Sequence, residues 1–186
     1  MFERYAPSSR RAIFFAREAA LHDSESDINS RFLLLGLLRE PNRANTLFRL
    51  SELLPDEAQR QAALPKYPEP RDLALAKDAK RILAYAAEEA NRLENYWIDA
   101  EHLVLGILRE SHSSACKMLN ELGVTLAQAR RLIADSSGSC EDLGPVPDSW
   151  QLGLRRPERR WRTSLIVAVV FGALFGIFVV QYYLSH

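Results

Sequence analysis

Residues 11 to 40 align without a gap on residues 81 to 110, at a constant offset of 70. Eleven of the thirty pairs are identical, among them Arg11/Arg81, Glu18/Glu88, Ile28/Ile98, Gly36/Gly106, Arg39/Arg109 and Glu40/Glu110. Unrelated segments of ordinary composition match at about two or three positions in thirty. With a one-residue shift the match continues, Leu50-Ser-Glu-Leu53 on Leu119-Asn-Glu-Leu122. The first 136 residues are therefore a duplication, in units of about 1–64 and 72–136. Two copies are too few for an open solenoid, and each alone is small for a hydrophobic core. The economical solution is one globular domain with a pseudo-two-fold axis.

Each unit reads as four helices. Ile82, Leu83, Ala86, Ala90 and Leu93 recur at the spacing of an amphipathic helix face. Asp99 is placed to cap a second helix, Ala100 to Glu110. Ser113 to Leu122 forms a third, closed by Gly123, and Thr125 with Gln128 has the spacing of a capping box that opens the fourth. The first unit repeats the order: Pro7 to His22, Ser30 to Arg39, Ala44 to Leu54, and a helix begun at Pro55, where proline fits the first turn. The fold class is all-α, one eight-helix domain. Gly36 and Gly106 fall mid-helix, where glycine costs about 1 kcal/mol against alanine, so close helix contact is the expected reason for them.

The remainder has a different character. Residues 136–153 are rich in Ser, Gly, Pro and Asp and read as a flexible tether, continued to residue 162 by a basic stem. From Leu165 to Val180 every residue is apolar or glycine, and residues 163–184 carry no charge. About 20 such residues span a hydrocarbon core, so this is the expected single transmembrane helix. Trp161 on one side, with Tyr182 and Tyr183 on the other, suits the interfacial aromatic belts. Arg155, Arg156, Arg159, Arg160 and Arg162 precede the span, opposed by Glu158 alone, which places the head in the cytoplasm. Met1 to Ala20 lacks the pattern of a signal peptide, so the expectation is a tail-anchored membrane protein whose short C-terminus lies on the far side. Gly172 and Gly176 form a GxxxG pair, a candidate helix-dimer face and hence a route to a homodimer.

Charge sharpens the division. The chain holds 24 basic and 24 acidic residues, but residues 1–154 hold 19 and 23, and residues 155–162 hold five and one. The basic block beside the span suits anionic lipid headgroups, and no cationic excess is left in the head to bind nucleic acid. None of the four lysines follows a glycine, so no phosphate-cradling Walker loop is present. The histidines lack metal-ligand spacing, Cys116 reads as a small packed hydrophobe, and Glu88-Glu89 as a solvated helix face. No nucleophile motif occurs, so neither an enzyme activity nor a cofactor or metal is expected.

Met1-Phe-Glu-Arg-Tyr, Ala16-Arg-Glu-Ala, Ile98-Asp-Ala-Glu-His-Leu-Val-Leu-Gly-Ile-Leu-Arg-Glu110 and Ala115-Cys-Lys-Met-Leu-Asn-Glu-Leu-Gly123 resemble the Clp N-terminal (Clp R) repeat domain over about residues 1–136. The resemblance implies a duplicated four-helix unit that binds adaptors and substrate segments for a Clp-type unfoldase, without catalysis of its own. Some family members recognise phosphorylated arginine. The matching positions for such a pocket are Asp99-Ala-Glu101 in the second unit, which keeps its acid, and Asn29-Ser30-Arg31 in the first, where a base replaces it. The early threonines of that pattern are Ala6 and Ala76 here. Asp99, Glu101, Arg31 and Ser30 are thus the candidate peptide- or adaptor-binding residues, and Arg31 argues against a symmetric pair of pockets. The expected function is a membrane-anchored protein-binding module that captures adaptors, clients or an unfoldase in Clp-type quality control. The alternative is a structural scaffold that self-associates or binds a membrane partner.

Overall fold

The computed structural model describes residues 2–39, 41–63 and 72–136. Nine α-helices and one two-stranded parallel pair make up the described residues. In the first unit these are α1 (Pro7–His22), β1 (Asp27–Ile28), α2 (Ser30–Leu38), α3 (Arg43–Phe48), α4 (Leu50–Leu53) and α5 (Pro55–Ala63). The second unit has β2 (Ala74–Leu75), α6 (Lys77–Arg92), α7 (Ala100–Arg109), α8 (Ser114–Glu121) and α9 (Leu126–Asp135).

The apolar pattern dictates the layering. α2 and α7 are apolar on nearly every side, and a helix of that kind must lie inside. Both are buried along almost their whole length, Phe32 to Leu38 in one and Ala100 to Leu108 in the other. α1 packs along α2 and α6 along α7, and the other helices close the core around them. The two glycines explain how close these pairs come. A Cβ on Gly36 would stand 2.0 Å from the Ala12 carbonyl oxygen, and one on Gly106 would stand 2.4 Å from that of Ile82. Ala12 and Ile82 are themselves repeat counterparts, so the same backbone contact is built twice.

The repeat also governs how the units join. Ile28 pairs with Leu75 in the parallel β1–β2 ladder, and Tyr5 pairs with Ile98 in an isolated parallel bridge. At the offset of 70, Tyr5 is the counterpart of Leu75 and Ile28 of Ile98. The flanking bonds agree: Ala76 N donates to Ile28 O at 2.9 Å, and Ala6 N to Ile98 O at 3.1 Å. The leading segment of each unit therefore pairs with the loop before the second helix of the other.

Several expectations are corrected. The eight helices become nine because the segment Ala44 to Leu54 is broken at Arg49, whose φ of 52° is left-handed. The first unit holds one residue more than the second here, and the break absorbs it. Asn45 Oδ1 steadies the new turn by accepting from both the backbone N and the hydroxyl of Ser51, each at 2.8 Å. The all-α description omits the short parallel pairings, which are too brief to show an alternating pattern. Glu89 is not on a solvated face: it is wholly buried. Other expectations hold. Thr125 and Gln128 form a reciprocal capping box, Gly123 adopts φ +82°, and Cys116 is buried with its thiol directed to the Leu108 carbonyl.

The expected tether, the basic stem and residues 163–184 lie outside the described residues, and with them Gly172, Gly176 and the flanking arginines and aromatics. Among the described residues no helix is long and apolar enough to cross a membrane.

Candidate functional site

The leading segment creates a groove. Its backbone is held to Ile98 by the parallel bridge, and Ser9 Oγ adds a hydrogen bond to the Ile98 carbonyl at 2.7 Å. Tyr5 turns inward and its hydroxyl donates to Leu83 O on α6 at 3.1 Å. Burial pushes the Tyr5 phenol up to about 12, although the Arg4 charge opposes it. Phe2 stacks edge-on against Tyr5 with ring centroids 5.2 Å apart. Between this segment and α6 lies an open groove of about 430 Å³, with Phe2, Tyr5, Leu83, Ala84, Ala87 and Ile98 as apolar lining and Glu3, Arg4 and Lys80 at its edge.

The pseudo-two-fold shows why the space exists. On α6 the groove face carries Lys80, Ala84 and Ala87. Their counterparts on α1 are Arg10, Phe14 and Arg17. Phe14 is a large side chain 47% exposed on that helix. Two alanines in the second unit thus stand where the first carries a phenylalanine and an arginine. This groove escaped sequence reasoning. The contrast of Ala84 and Ala87 with Phe14 and Arg17 in the repeat alignment was the signal that could have found it.

The four candidate residues fall elsewhere. Asp99 and His102 form a capping box at the start of α7, with Asp99 N donating to His102 Nδ1 at 2.9 Å. Glu101 is buried and lies 3.4 Å from Arg43 Nε, and Arg43 also donates to the hydroxyl and carbonyl of Ser136 at the end of α9. Ser30 is buried too: its N donates to Asp78 Oδ2 at 3.0 Å, and its hydroxyl meets that of Ser114 at 3.3 Å. Arg31 is half-exposed, 3.6 Å from Asp23 and 3.9 Å from Glu57. The four are therefore fastened into capping and packing contacts, and none of them lines the groove.

Asp99, Glu101 and His102 bring ligand atoms within 4.8 Å of one another, a grouping with donors suited to a metal ion. The donors are committed within the protein: Glu101 faces the Arg43 guanidinium, and the Nδ1 lone pair of His102 receives the Asp99 amide. Burial, with the Arg43 charge second, pushes His102 down to about 4 and keeps the ring neutral. Its Nε2 lies 3.2 Å from the side-chain amide of Asn95.

A second cluster fixes α9. Glu89 on α6 accepts two hydrogen bonds from Arg130 on α9, at 2.7 and 3.0 Å. Arg109 Nη1 lies 3.2 Å from Glu89, while Arg109 Nη2 pairs with Glu88 at 2.7 Å and the guanidinium covers the Tyr85 ring at 4.3 Å. Burial raises the Glu89 pKa, but the Arg130 hydrogen bonds and the charges of Arg130, Arg92 and Arg109 together hold it below the usual carboxylate range. Every carboxylate here has a cation beside it, which suits a structural clamp.

Known proteins agree with this architecture. Residues 74–155 match the family described as the Clp repeat (R) N-terminal domain. The chain is 30% identical over 146 residues to the negative regulator of genetic competence ClpC/MecB of Bacillus subtilis, and 28% identical over 146 residues to the chaperone protein ClpB of Oceanobacillus iheyensis. Each alignment covers 76% of this chain and 18% of the relative, so the chain spans about a fifth of the length of these proteins. Among solved structures, the N-terminal domain of the ClpV1 ATPase from E. coli superposes with a TM-score of 0.56 at 19% identity, covering 77% of this chain and 93% of that one. The Hsp104 N-terminal domain of Candida albicans gives 0.52 at 15% identity, covering 70% and 89%. The head accordingly has the fold of Clp-type N-terminal domains, and the match to the Clp repeat family falls on its second unit and the residues that follow it.

Proposed function

We propose that this chain is a non-catalytic protein-binding module of Clp-type quality control, held at the cytoplasmic face of a membrane by residues 163–184. Its groove takes segments of adaptors, client proteins or an unfoldase. The observation that carries this reading is the 430 Å³ apolar groove between the leading segment and α6, on a fold shared with Clp N-terminal domains. A mostly apolar concavity with a few charged groups at its edge is the usual form of a binding site. The basic stem and the uncharged stretch after it support the membrane anchor.

The test is co-purification of the full chain in mild detergent, comparing the wild type with the double substitution A84F/A87R. That variant gives α6 the side chains that α1 already carries at these positions, so it fills the groove with a solution the fold tolerates. Loss of co-purified Clp adaptors, unfoldases or clients supports the reading. An unchanged set of partners removes the groove from it, and recovery of the chain's own copies alone favours the scaffold alternative. Resistance of the chain to alkaline extraction from membranes, with the head cleaved by protease added from the cytoplasmic side, tests the anchor and its orientation.

A further inference from the structure

The charges around the groove are uneven. The head as a whole is acidic, yet the acids of α6 near the groove are already engaged. Asp78 accepts from Ser30 N, Glu88 pairs with Arg109, and Glu89 with Arg130. Lys80 is exposed and has no partner among the described residues. At the other end, Arg4 donates to Asn91 Oδ1 at 2.7 Å and to Tyr96 O at 3.0 Å, and its guanidinium lies over the Tyr96 ring at 5.3 Å. These contacts hold Arg4 in place but use two of its five N–H donors. Glu3 is the single acid at the edge, against these two cations.

The spacing is set by α6. Lys80 and Asn91, the anchor of Arg4, are eleven residues apart, which is about 16 Å along a helix. Eleven residues are also close to three turns, so both ends share one helix face, with Ala84 and Ala87 between them. The groove is open to solvent along α6, and its volume of about 430 Å³ has room for apolar side chains of a helix lying along it.

We propose that the groove recognises an amphipathic helix of a partner protein whose apolar row is bracketed by an acid at each end, at positions i and i+11, with apolar residues at i+4 and i+7. The apolar row fills the space over Ala84 and Ala87, and the acids meet Lys80 and Arg4. Because the bracket is symmetric, either helix direction satisfies it. This inference rests on the groove reading above and adds the chemistry of the partner to it. Complementary charge at a groove fixes register and partner choice more than it adds raw affinity.

The experiment measures binding of two labelled helical peptides to the full chain in detergent. Both carry Leu at i+4 and i+7; one has Glu at i and i+11, the other Lys. The expected result is at least tenfold tighter binding of the Glu peptide, a gap that narrows as salt rises from 50 to 300 mM and falls to within about twofold in Lys80→Glu. Lys80 is exposed and has no partner among the described residues, so this substitution leaves the fold of the head intact. Equal binding of the two peptides by the wild type overturns the acid-bracketed class and leaves the groove standing. Binding of neither overturns the groove as well.

Discussion

Glu18 sits on α1 with both carboxylate oxygens buried and, among the described residues, without a hydrogen-bond partner. Its counterpart Glu88 meets Arg109 at 2.7 Å, but the counterpart arginine, Arg39, instead donates to the Gln61 carbonyl and covers the Phe15 ring at 5.3 Å. Burial pushes the Glu18 pKa up, and the charges of Arg39 and Arg17 offset part of that. The folded chain thus holds this proton more tightly than the unfolded one. Its stability is full below the unfolded carboxylate value and falls as pH rises through the raised one. Glu18→Gln is expected to stabilise the head by about 1–2 kcal/mol at pH 7 and to have no such effect below about pH 4, as read by thermal unfolding at the two pH values. His102 acts in the opposite sense. Its folded value is lowered to about 4 from 6.5, so the unfolded chain takes up the proton first, and stability falls as pH drops from about 6.5 to 4. Replacement by Asn is expected to flatten that part of the profile. The cap at Asp99, the partner of His102, was legible in the sequence because capping is a local signal. The burial of Glu89 was not, because Arg130 lies 41 residues further on and nothing local announces the pairing.

Helices and turns were the most legible scale, because apolar periodicity and caps are local signals. The match extends to the helix ends. Ser24 and Glu94, counterparts at the offset of 70, are both left-handed, with φ of 58° and 59°. Glu25 N donates to Ala20 O at 2.9 Å and Asn95 N to Ala90 O at 2.8 Å, the same terminal bond twice. A side chain at such a position costs about 1 kcal/mol that glycine does not. Glu94→Gly is expected to raise the unfolding free energy by about that amount in a denaturant titration. The helix contact at Gly36 predicts the reverse. A Cβ there meets backbone, which cannot turn aside, so Gly36→Ala is expected to destabilise by about 3 kcal/mol in the same titration. The break between α3 and α4 was half visible. The alignment contained the extra residue, but nothing about an arginine favours the left-handed conformation that absorbs it. The groove was illegible for a related reason: it is the absence of bulk at Ala84 and Ala87, and an absence carries meaning only beside Phe14 and Arg17.

At the scale of the whole molecule the duplication foretold two units about a pseudo-two-fold axis, but not that they exchange their leading segments. Those pairings span two residues or fewer, too short to leave a pattern in sequence. Their energetic consequence is large, since each unit leaves its second loop unpaired until the other supplies a strand. Residues 1–64 and 72–136 produced separately are each expected to lack a cooperative thermal transition by circular dichroism, and to regain one on mixing. Independent cooperative melting of either would show the exchange to be dispensable.

That exchange also sets a clock. Ile28 waits for Leu75, 47 residues further along the chain, and Tyr5 waits for Ile98, 93 residues on. At a synthesis rate of about 5–20 residues per second, the second of these partners leaves the peptidyl-transferase centre about 5–19 seconds after the first residue of the pair. The nascent first unit spends that interval with the edge of its leading segment open on the ribosome. The head closes late in its own translation, and a chaperone that shelters that edge has seconds, rather than milliseconds, in which to act.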